Sequence, residues 1–553
     1  MKTPILGGTY VTRSVNAADS RMVNIFPEVI PEGGKEPAYL QRAPGLKLLN
    51  TLTGGGPVRG LYFFEGFGYA VAGETVYKID TAWNFTVIGS VSGSGPVSMA
   101  DNGTQLFIAC NGPSFIYNRV TNAFGQINDI DFPGAVTVGY LDGYFVFNEP
   151  DSQRIWVTAV LDGSSIDPLD FASAEASPDR AVALLVDHKE VWIFGDNSVE
   201  VWYNSGAADY PLTPIQGAFN EIGCVAPYSV AKLDNGIFWL GADARGQGMV
   251  YRATGYQAVR VSTHTVEWHI QRYGNLSNAL AYTYQQDGHS FYVLIFPEAN
   301  TTWVFDVATG LWHERAGWVN GLFTRHRSNC QMSFNNEIVV GDFENGNIYA
   351  LDLDVYRDND TVQRWLRTWR ALPTGQNNLK RTAQHTLQLD AESGGVDPTE
   401  LINIEVIDTT TGEDFLLAEN NDFLVAEEPD LNDYSLLQED GDQILQEDDD
   451  PLLLEANNIP TVIVGKLVLQ TGLLIADQLD PQVMLRWSDD GGHTWSNEHW
   501  RSMGKSGEWG YRVFWRRLGM TEKLRDRVYE VSGTDPIKLA IMGAELEVSG
   551  SSS

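Results

Sequence analysis

From about Pro57 to Leu351 the chain alternates short apolar and aromatic runs with tight polar turns, and the alternation recurs as a unit seven times. Each unit has a lead-in strand, a polar turn, an apolar strand and a second aromatic strand. The turn-plus-strand pieces are EGFGYAVAG from Glu65, DNGTQLFIA from Asp101, LDGYFVFN from Leu141 and DHKEVWIFG from Asp187, followed by LDNGIFWLG from Leu233, QDGHSFYVLI from Gln286 and FNNEIVVGD from Phe334. Second strands such as TVYKI from Thr75, VEVWY from Val199 and NIYAL from Asn347 follow them. The DG, DNG and NN pairs supply the positive-φ residues that two-residue hairpins require. Lead-in strands fall near Pro57, Pro96, Ala135, Ala181, Ala226, Ala279 and Leu322, at spacings of 39 to 53 residues. That period, with several strands per unit, predicts an all-β seven-bladed β-propeller. An irregular run of meanders in two packed sheets is the alternative the same pattern allows.

Beyond about residue 370 the repeat stops, and strand-length pieces continue without it. ELINIEVID, TVIVGKLVLQ, QVMLRWSDD, YRVFWRRLG, RDRVYEVSG and IKLAIMGAELEV predict a C-terminal sandwich or barrel-like β-domain. Between the first two lies a run of short repeats (DFLLAEN, DFLVAEE, YSLLQED, QILQEDDD, PLLLEAN), each with two or three apolar residues before an acidic turn. Recurrent apolar pairs predict short strands there, while the charge density alone fits a solvated loop. The expected division is an N-terminal arm (1–50), a propeller (51–358), a linker and start of the second domain (359–399), and a C-terminal β-domain (400–548). This last carries the acidic repeat insertion (412–458), and a flexible tail (549–553) follows.

Charge sharpens this division. The net charge is −35, yet no Lys or Arg lies between Arg381 and Lys466, where 22 acids stand, while nine bases face five acids from Arg501 to Lys538. Broad acidity disfavours gripping nucleic acid, whose phosphates need cations, but does not exclude a surface past which DNA slides. No stretch approaches 18 uninterrupted apolar residues, so no membrane span is expected. The N-terminal residues MKTPILGGTYVTRS lack the apolar core of a signal peptide, and Cys110, Cys224 and Cys330 lack CxxC spacing. Reduced thiols and assembly in a cytoplasm are the expectation.

Candidate chemistry centres on SDDGGHTW, which matches the Asp-box of sialidases at Ser488, Asp490, Gly492, Thr494 and Trp495. In that motif the carboxylate and hydroxyls bond the backbone of a turn and the Trp packs beneath it, so the motif is a clasp. Sialidases carry several copies, one per blade; this chain has one, outside the propeller repeats, and lacks the Arg-Ile-Pro stretch of those enzymes. His264 and His269 in HTVEWH lack HExxH spacing and are read as a polar strand end. The QEDDD run lacks EF-hand spacing, and no G-x-S-x-G elbow or P-loop occurs. No catalytic, cofactor or metal residue is therefore expected, and Asp352 to Asp360 reads as an interdomain linker. Along YRVFWRRLG, strand alternation puts Val513 and Trp515 on one face and Arg512 and Phe514 on the other. Arg512, Trp515, Arg516 and Arg517 are the candidate subunit interface.

The stretch from Ser488 through RVYEV, together with TDPIKLAIMGAELEV, resembles the end of the packaged-DNA stabilisation family, the tail hub or head-completion proteins of P22-like short-tailed bacteriophages. The shared pattern is a turn-and-aromatic box, a Gly-rich turn and a basic-aromatic strand ending R-x-G. ADSRMVNIFPE from Ala18, PAYLQRAPGL from Pro37 and GPVSMADNG from Gly95 resemble the family's opening arm and early body. The acidic insertion departs from its pattern. The resemblance implies a homohexameric ring below the portal and its adaptor (the head-to-tail connector), contacts with a tail needle, tailspike or fibre proteins, and transient passage of double-stranded DNA. It implies a structural virion protein and no enzyme. The alternative is a glycan- or receptor-binding tail module with sialidase-like activity.

Overall fold

The computed structural model describes residues 1–11, 19–30, 34, 36–174, 179–207, 209–242, 248–372, 381–396, 480–505, 508, 511–521 and 527–550, with short strands between 403 and 468. Seven antiparallel sheets of the repeat region follow one another in chain order. Four take the plain four-strand form, from Val58–Phe64 to Phe85–Ser90, Ser98–Asp101 to Ala123–Gln126, Val138–Leu141 to Phe171–Ser173, and Ala181–Asp187 to Leu212–Asn220. The fifth is built on Gly236–Ala242, the sixth runs from Leu280–Gln286 to Leu311–Val319, and the seventh starts at Ser328–Phe334. These are the blades of a seven-bladed propeller.

Turn chemistry sets the hairpin register. Both central residues have positive φ at Glu65–Gly66, Asp142–Gly143, Asp234–Asn235, Asp287–Gly288 and Asn335–Asn336. The left-handed backbone matches the right-handed twist of the flanking strands. His188–Lys189 takes the same form at φ 46° and 64° without a Gly or Asn.

Each pair of neighbouring blades encloses its own apolar core. Val71, Leu106 and Ile108 pack between the first and second, and Phe107, Phe145 and Phe147 between the second and third. The ring closes because Val58, Leu61 and Ala70 of the first blade pack on Met332, Val339 and Ile348 of the seventh. Burial of each such side chain contributes roughly 1.5–3 kcal/mol. The seventh blade has only three strands from its own segment. Its outer strand is Gly45–Thr51, antiparallel to Asn347–Asp352, so residues at the end of the expected arm form part of the propeller. Gly45 enters beside the backbone carbonyls of Val355 and Arg357, which stand where a Cβ would have to go, so no larger residue fits without a shift.

Two five-stranded sheets complete this unit. One is Met22–Val23, Trp365–Arg370, Val528–Gly533, Gln482–Ser488 and His499–Ser502, joined edge-on to the outer strand of the sixth blade. The other is Ile25–Val29, Ala38–Arg42, Ile537–Gly550, Thr382–Val396 and Val513–Met520. Tyr529 of the first sheet bonds Gln384 of the second, and Trp515 Nε1 of the second donates to the His499 carbonyl at 2.8 Å. This sandwich thus takes three strands from the N-terminal residues. Residues Gly394–Asp480 and Lys505–Glu508 make a second compact unit. It contains an antiparallel meander of Asn403–Asp408, Asp414–Leu417, Phe423–Ala426, Tyr434–Leu437 and Leu453–Leu454, with Leu467–Val468 pairing Asn403–Asp408. The strands fall on the apolar pairs of the acidic repeats; the QILQEDDD repeat lies outside the described residues.

Three local expectations change. The lead-in strand expected near Leu322 is Ser328–Phe334, because Leu322–Arg325 instead pairs back on the sixth blade. His264 and His269 lie on a helix, His264–Ile270, and not at a strand end. Thr263 caps it, its hydroxyl accepting from Val266 N at 3.4 Å, and the Glu267 carboxylate turns back to Ser262 and Arg260. Asp352 to Asp360 is no free linker: Arg357–Asp358 pairs with Gly45–Thr51 and with Thr361–Val362, and Asp358 is fully buried.

A charged relay pins the sandwich to the sixth blade. His289 Nδ1 meets Asp306 Oδ2 at 2.9 Å, and its Nε2 bonds Glu28, which lies on the sandwich strand Ile25–Val29. Burial alone lowers the imidazole pKa, but the bonds to Asp306 and Glu28 outweigh it and raise the value to about 9. A folded pKa above the unfolded value of about 6.5 means that the charged ring stabilises the fold fully below that pH. This contribution disappears as pH rises through about 9. In urea unfolding, the stability difference between wild type and His289→Gln should therefore hold between pH 5 and 6.5 and shrink steadily toward pH 9.5. A difference independent of pH would contradict the relay.

Candidate functional site

The SDDGGHTW turn joins Gln482–Ser488 to His499–Ser502 in the first sandwich sheet. Asp490 Oδ1 accepts from Ser488 Oγ at 2.6 Å, His493 N at 2.9 Å and Thr494 N at 2.8 Å, and Oδ2 accepts from Thr494 Oγ1 at 2.6 Å. Ser488 Oγ in turn accepts from Gly492 N at 2.7 Å. Hydrogen bonds from Ser488 first, then Thr494, hold the Asp490 carboxyl well below the usual carboxylate range. Both carboxylate oxygens thus serve the turn itself. Trp495 is half-buried, with the Arg486 guanidinium 4.9 Å from its ring centre.

Two ion pairs anchor this turn, and the motif reading did not single them out. Asp489, one of the three positions that the box pattern leaves free, takes Arg527 in a bidentate pair at 2.7 and 2.8 Å. The Arg527 side chain is 2% exposed and also donates to the Leu518 carbonyl. Arg486 pairs with Glu530 at 2.5 and 2.9 Å, directly across from it on the neighbouring strand. The doubled Asp and the arginines of RDRVYE were the available signal.

Val513–Met520 is the last strand of the second sheet, paired on one side by Thr382–Val396. Val513 and Trp515 are buried, while Arg512, Arg516 and Arg517 are exposed. Strict alternation would turn Arg517 inward. Instead, Arg516 pairs Thr386 and Gly519 pairs Gln384, so this strand carries one extra residue, and Arg517 takes φ 61°. The bulge re-aims Arg517 outward and returns Leu518 to the core. Among the described residues the three arginines form no ion pair; Arg516 lies over the Phe514 ring at 5.7 Å. Beside them Trp500 is 50% exposed, Tyr511 45% and Met520 49%. Arg501 Nε donates to the Phe514 carbonyl at 3.2 Å, tying the neighbouring strand to this edge. The surface combines exposed aromatics with exposed arginines, residue types enriched where proteins meet. Trp500, Tyr511 and Met520 were not singled out on sequence, because exposure is a property of the folded edge.

Cys110, Cys224 and Cys330 are free, and burial raises their thiols to about 11, 12 and 12. Among the described residues no group of three His, Cys, Asp or Glu is placed to hold a metal, and no helix is long and apolar enough to cross a membrane.

Comparison with known proteins gives two family matches. Residues 1–356 match the bacteriophage P22 Gp10 β-propeller family, and residues 449–549 the bacteriophage P22 Gp10 β-sandwich family. The tail hub protein gp10 of Salmonella phage P22 is 22% identical over 350 residues, covering 59% of this chain and 71% of that protein. Solved structures align more distantly. The computationally designed Ika8 protein is 14% identical over 56% of this chain and 99% of its own, at a TM-score of 0.33. The extracellular domain of a one-component system of B. thetaiotaomicron is 12% identical over 76% of this chain and 62% of its own, at 0.39. At these values neither informs the fold or function.

The turn geometry yields a graded test. Asp490→Ala removes a clasp at the solvent-facing turn and should lower the melting temperature modestly. Its contribution is present above the unfolded carboxyl value near 4 and lost as pH falls below it, because the folded pKa is depressed. Arg527→Ala removes a buried side chain with its bonds to Asp489 and the Leu518 carbonyl, leaves a half-buried carboxylate without its partner, and should cost more than Asp490→Ala, roughly 1–3 kcal/mol in denaturant unfolding. Equal losses in the two variants would show that the clasp and its anchor do not act separately.

Proposed function

This chain belongs to the bacteriophage P22 Gp10 family, and on that premise we propose that it is a structural protein of a short-tailed phage virion, a tail hub that forms a ring below the portal adaptor. The ring extends the DNA channel, closes it after packaging and anchors distal tail components such as a needle, tailspike or fibre. The observation that carries this reading is the family match at both ends of the chain, over the propeller and over the C-terminal strands of the sandwich. The relative from Salmonella phage P22 is named as a tail hub protein.

Physical features support it. A closed propeller with a packed core between every pair of blades is a rigid platform with few open strand edges. Net charge of −35 suits a wall that DNA passes without adhering, since like charge repels phosphate within a Debye length of about 8–10 Å. The Asp-box bonds favour a clasp over sugar chemistry, because the turn itself uses both oxygens of Asp490. In the ring, of six copies by analogy with the family, the Arg512, Arg516 and Arg517 edge with Trp515 behind it meets acidic surface on a neighbouring subunit.

Arg516→Glu combined with Arg517→Glu should leave the isolated subunit folded, since both side chains are exposed. It should abolish rings in negative-stain class averages of the protein with its cognate tail proteins. Normal rings in that variant would remove this edge from the interface.

The acidic meander offers a separate test. Replacing Glu413 to Glu455 with a short Gly/Ser bridge keeps Asn403–Asp408 and Leu467–Val468, which pair with each other. The propeller and sandwich should retain their melting transition, while tail assembly or DNA ejection should fall. Insoluble protein would assign the segment to the core, and normal virions would deny it any role.

A further inference from the structure

We propose that the buried polar cluster around Arg315, between the sixth and seventh blades, binds a small inorganic anion of halide size. Arg315 lies on the outer strand of the sixth blade and is 1% exposed. Its guanidinium sits 5.5 Å from the ring centres of both Tyr284 and Phe291, yet Nε, Nη1 and Nη2 have no hydrogen-bond partner. Among the described residues it forms no ion pair. A guanidinium cannot shed its charge, so burial without a counter-charge is among the costliest arrangements a core can hold.

The groups that feel this charge are equally unsatisfied. Both ring nitrogens of His313, His326 Nε2 and Asp358 Oδ2 are buried without partners, and the Tyr284 hydroxyl faces only the Arg315 guanidinium. Burial first, then Arg315, keeps His313 and His326 neutral, so each ring carries one N–H. His326 Nδ1 and the Tyr282 hydroxyl already share the Ser328 hydroxyl, at 2.6 and 2.7 Å. Donors therefore outnumber acceptors, and the fixed charge is positive: the set suits an anion and rejects a cation. A monovalent ion suits it better than phosphate, because multiple charge costs more to bury and demands more donors.

Asp358 is the protein's own competing counter-ion. Gln363 Nε2 donates to its Oδ1 at 3.2 Å, and burial raises its carboxyl to about 7. The other charges that act on it are spoken for. Arg42 bonds the carbonyls of Tyr356, Gln363 and Ile537, and Arg327 faces Asp342 and Glu344. On the sixth blade, charged His289 is held by Glu28 and Asp306. Protonating Asp358 leaves Arg315 without compensation, so anion binding and proton uptake should be coupled. Binding strengthens as pH falls below about 7.

The full chain should be crystallised in sodium bromide, and melted in bromide against sodium gluconate of equal ionic strength at pH 5.5 and 8.5. The expected result is an anomalous bromide peak within hydrogen-bond reach of the Arg315 guanidinium. The melting temperature should also rise with bromide, more at pH 5.5; a tenfold excess over the dissociation constant shifts the folding equilibrium roughly tenfold. Arg315→Met should abolish the bromide dependence, and Asp358→Asn should keep it while removing its pH dependence. Water alone at Arg315 in the bromide crystal overturns the proposal, as does an unchanged bromide effect in Arg315→Met. If that variant does not fold, the peak in the wild-type crystal decides.

Discussion

Closure by the N-terminal strands is the constraint on which the rest depends. A propeller left open between its first and last blades would expose two unpaired sheet faces. Here Gly45–Thr51 supplies the outer strand of the seventh blade, so the start of the chain is fastened to its repeat region's end. The same segment, read backwards, enters both sandwich sheets. Asn24 donates to the carbonyls of Ala316 and Arg364 at 2.7 and 2.8 Å and accepts from Ala316 N at 2.9 Å, binding a propeller strand and a sandwich strand at one residue. Arg42 bonds Gln363 and the carbonyls of Tyr356, Asp535 and Ile537. About thirty residues thus hold both domains, which explains why family likeness reaches the arm as well as the body.

That closure brings charge into the core. Wherever the N-terminal strands pass the sixth and seventh blades, buried and half-buried ionisable groups gather: half-buried Glu28 with buried His289 and Asp306, Arg42 over Tyr356, Asp358 beside the entering strand. Purely apolar packing would pin the same strands with less desolvation cost, but it would specify register less sharply. A hydrogen-bonded charge fits one partner set only, whereas leucine tolerates slippage. Between the remaining blades, where consecutive hairpins set the register, the cores are dominated by residues such as Phe107, Phe147, Ile193 and Trp202.

What could be read from the sequence follows from this. The two strands after each tight turn were legible because they are apolar and the turns carry positive-φ pairs such as Asp142–Gly143, whereas the seventh lead-in strand was displaced from Leu322 to Ser328–Phe334. The outer strands were not. Ala123–Gln126 and Gln257–Arg260 are largely exposed, so their composition resembles a loop. The outer strand of the sixth blade is buried, but for a reason outside its own sequence: the sandwich sheet continues from it. The helix at His264–Ile270 depended on Thr263 as a cap and on Glu267 finding Arg260, a contact that strand-based reading has no means to anticipate. Of the candidate site, the Asp-box hydrogen bonds were legible because the motif is local in sequence. Arg527 was not, because its partner Asp489 stands 38 residues away.

The edge strand shows how the two kinds of information meet. Alternation placed Val513 and Trp515 inside, and the arginine doublet that breaks alternation marks where the strand bulges. A bulge with exposed arginines is also how proteins stop an edge from recruiting another strand. A neighbour therefore cannot add to this sheet through a continuous backbone ladder across Arg516 and Arg517. Any contact made there must be through side chains: guanidinium groups, the Phe514 ring beneath Arg516, and the exposed Trp500 and Tyr511 beside them. Side-chain contact lets partners dock and adjust in angle, whereas strand addition would fix one continuous sheet. For a structural protein of a phage tail, an edge that refuses strand pairing yet presents directional cations favours specific side-chain contacts and discourages self-association into fibres.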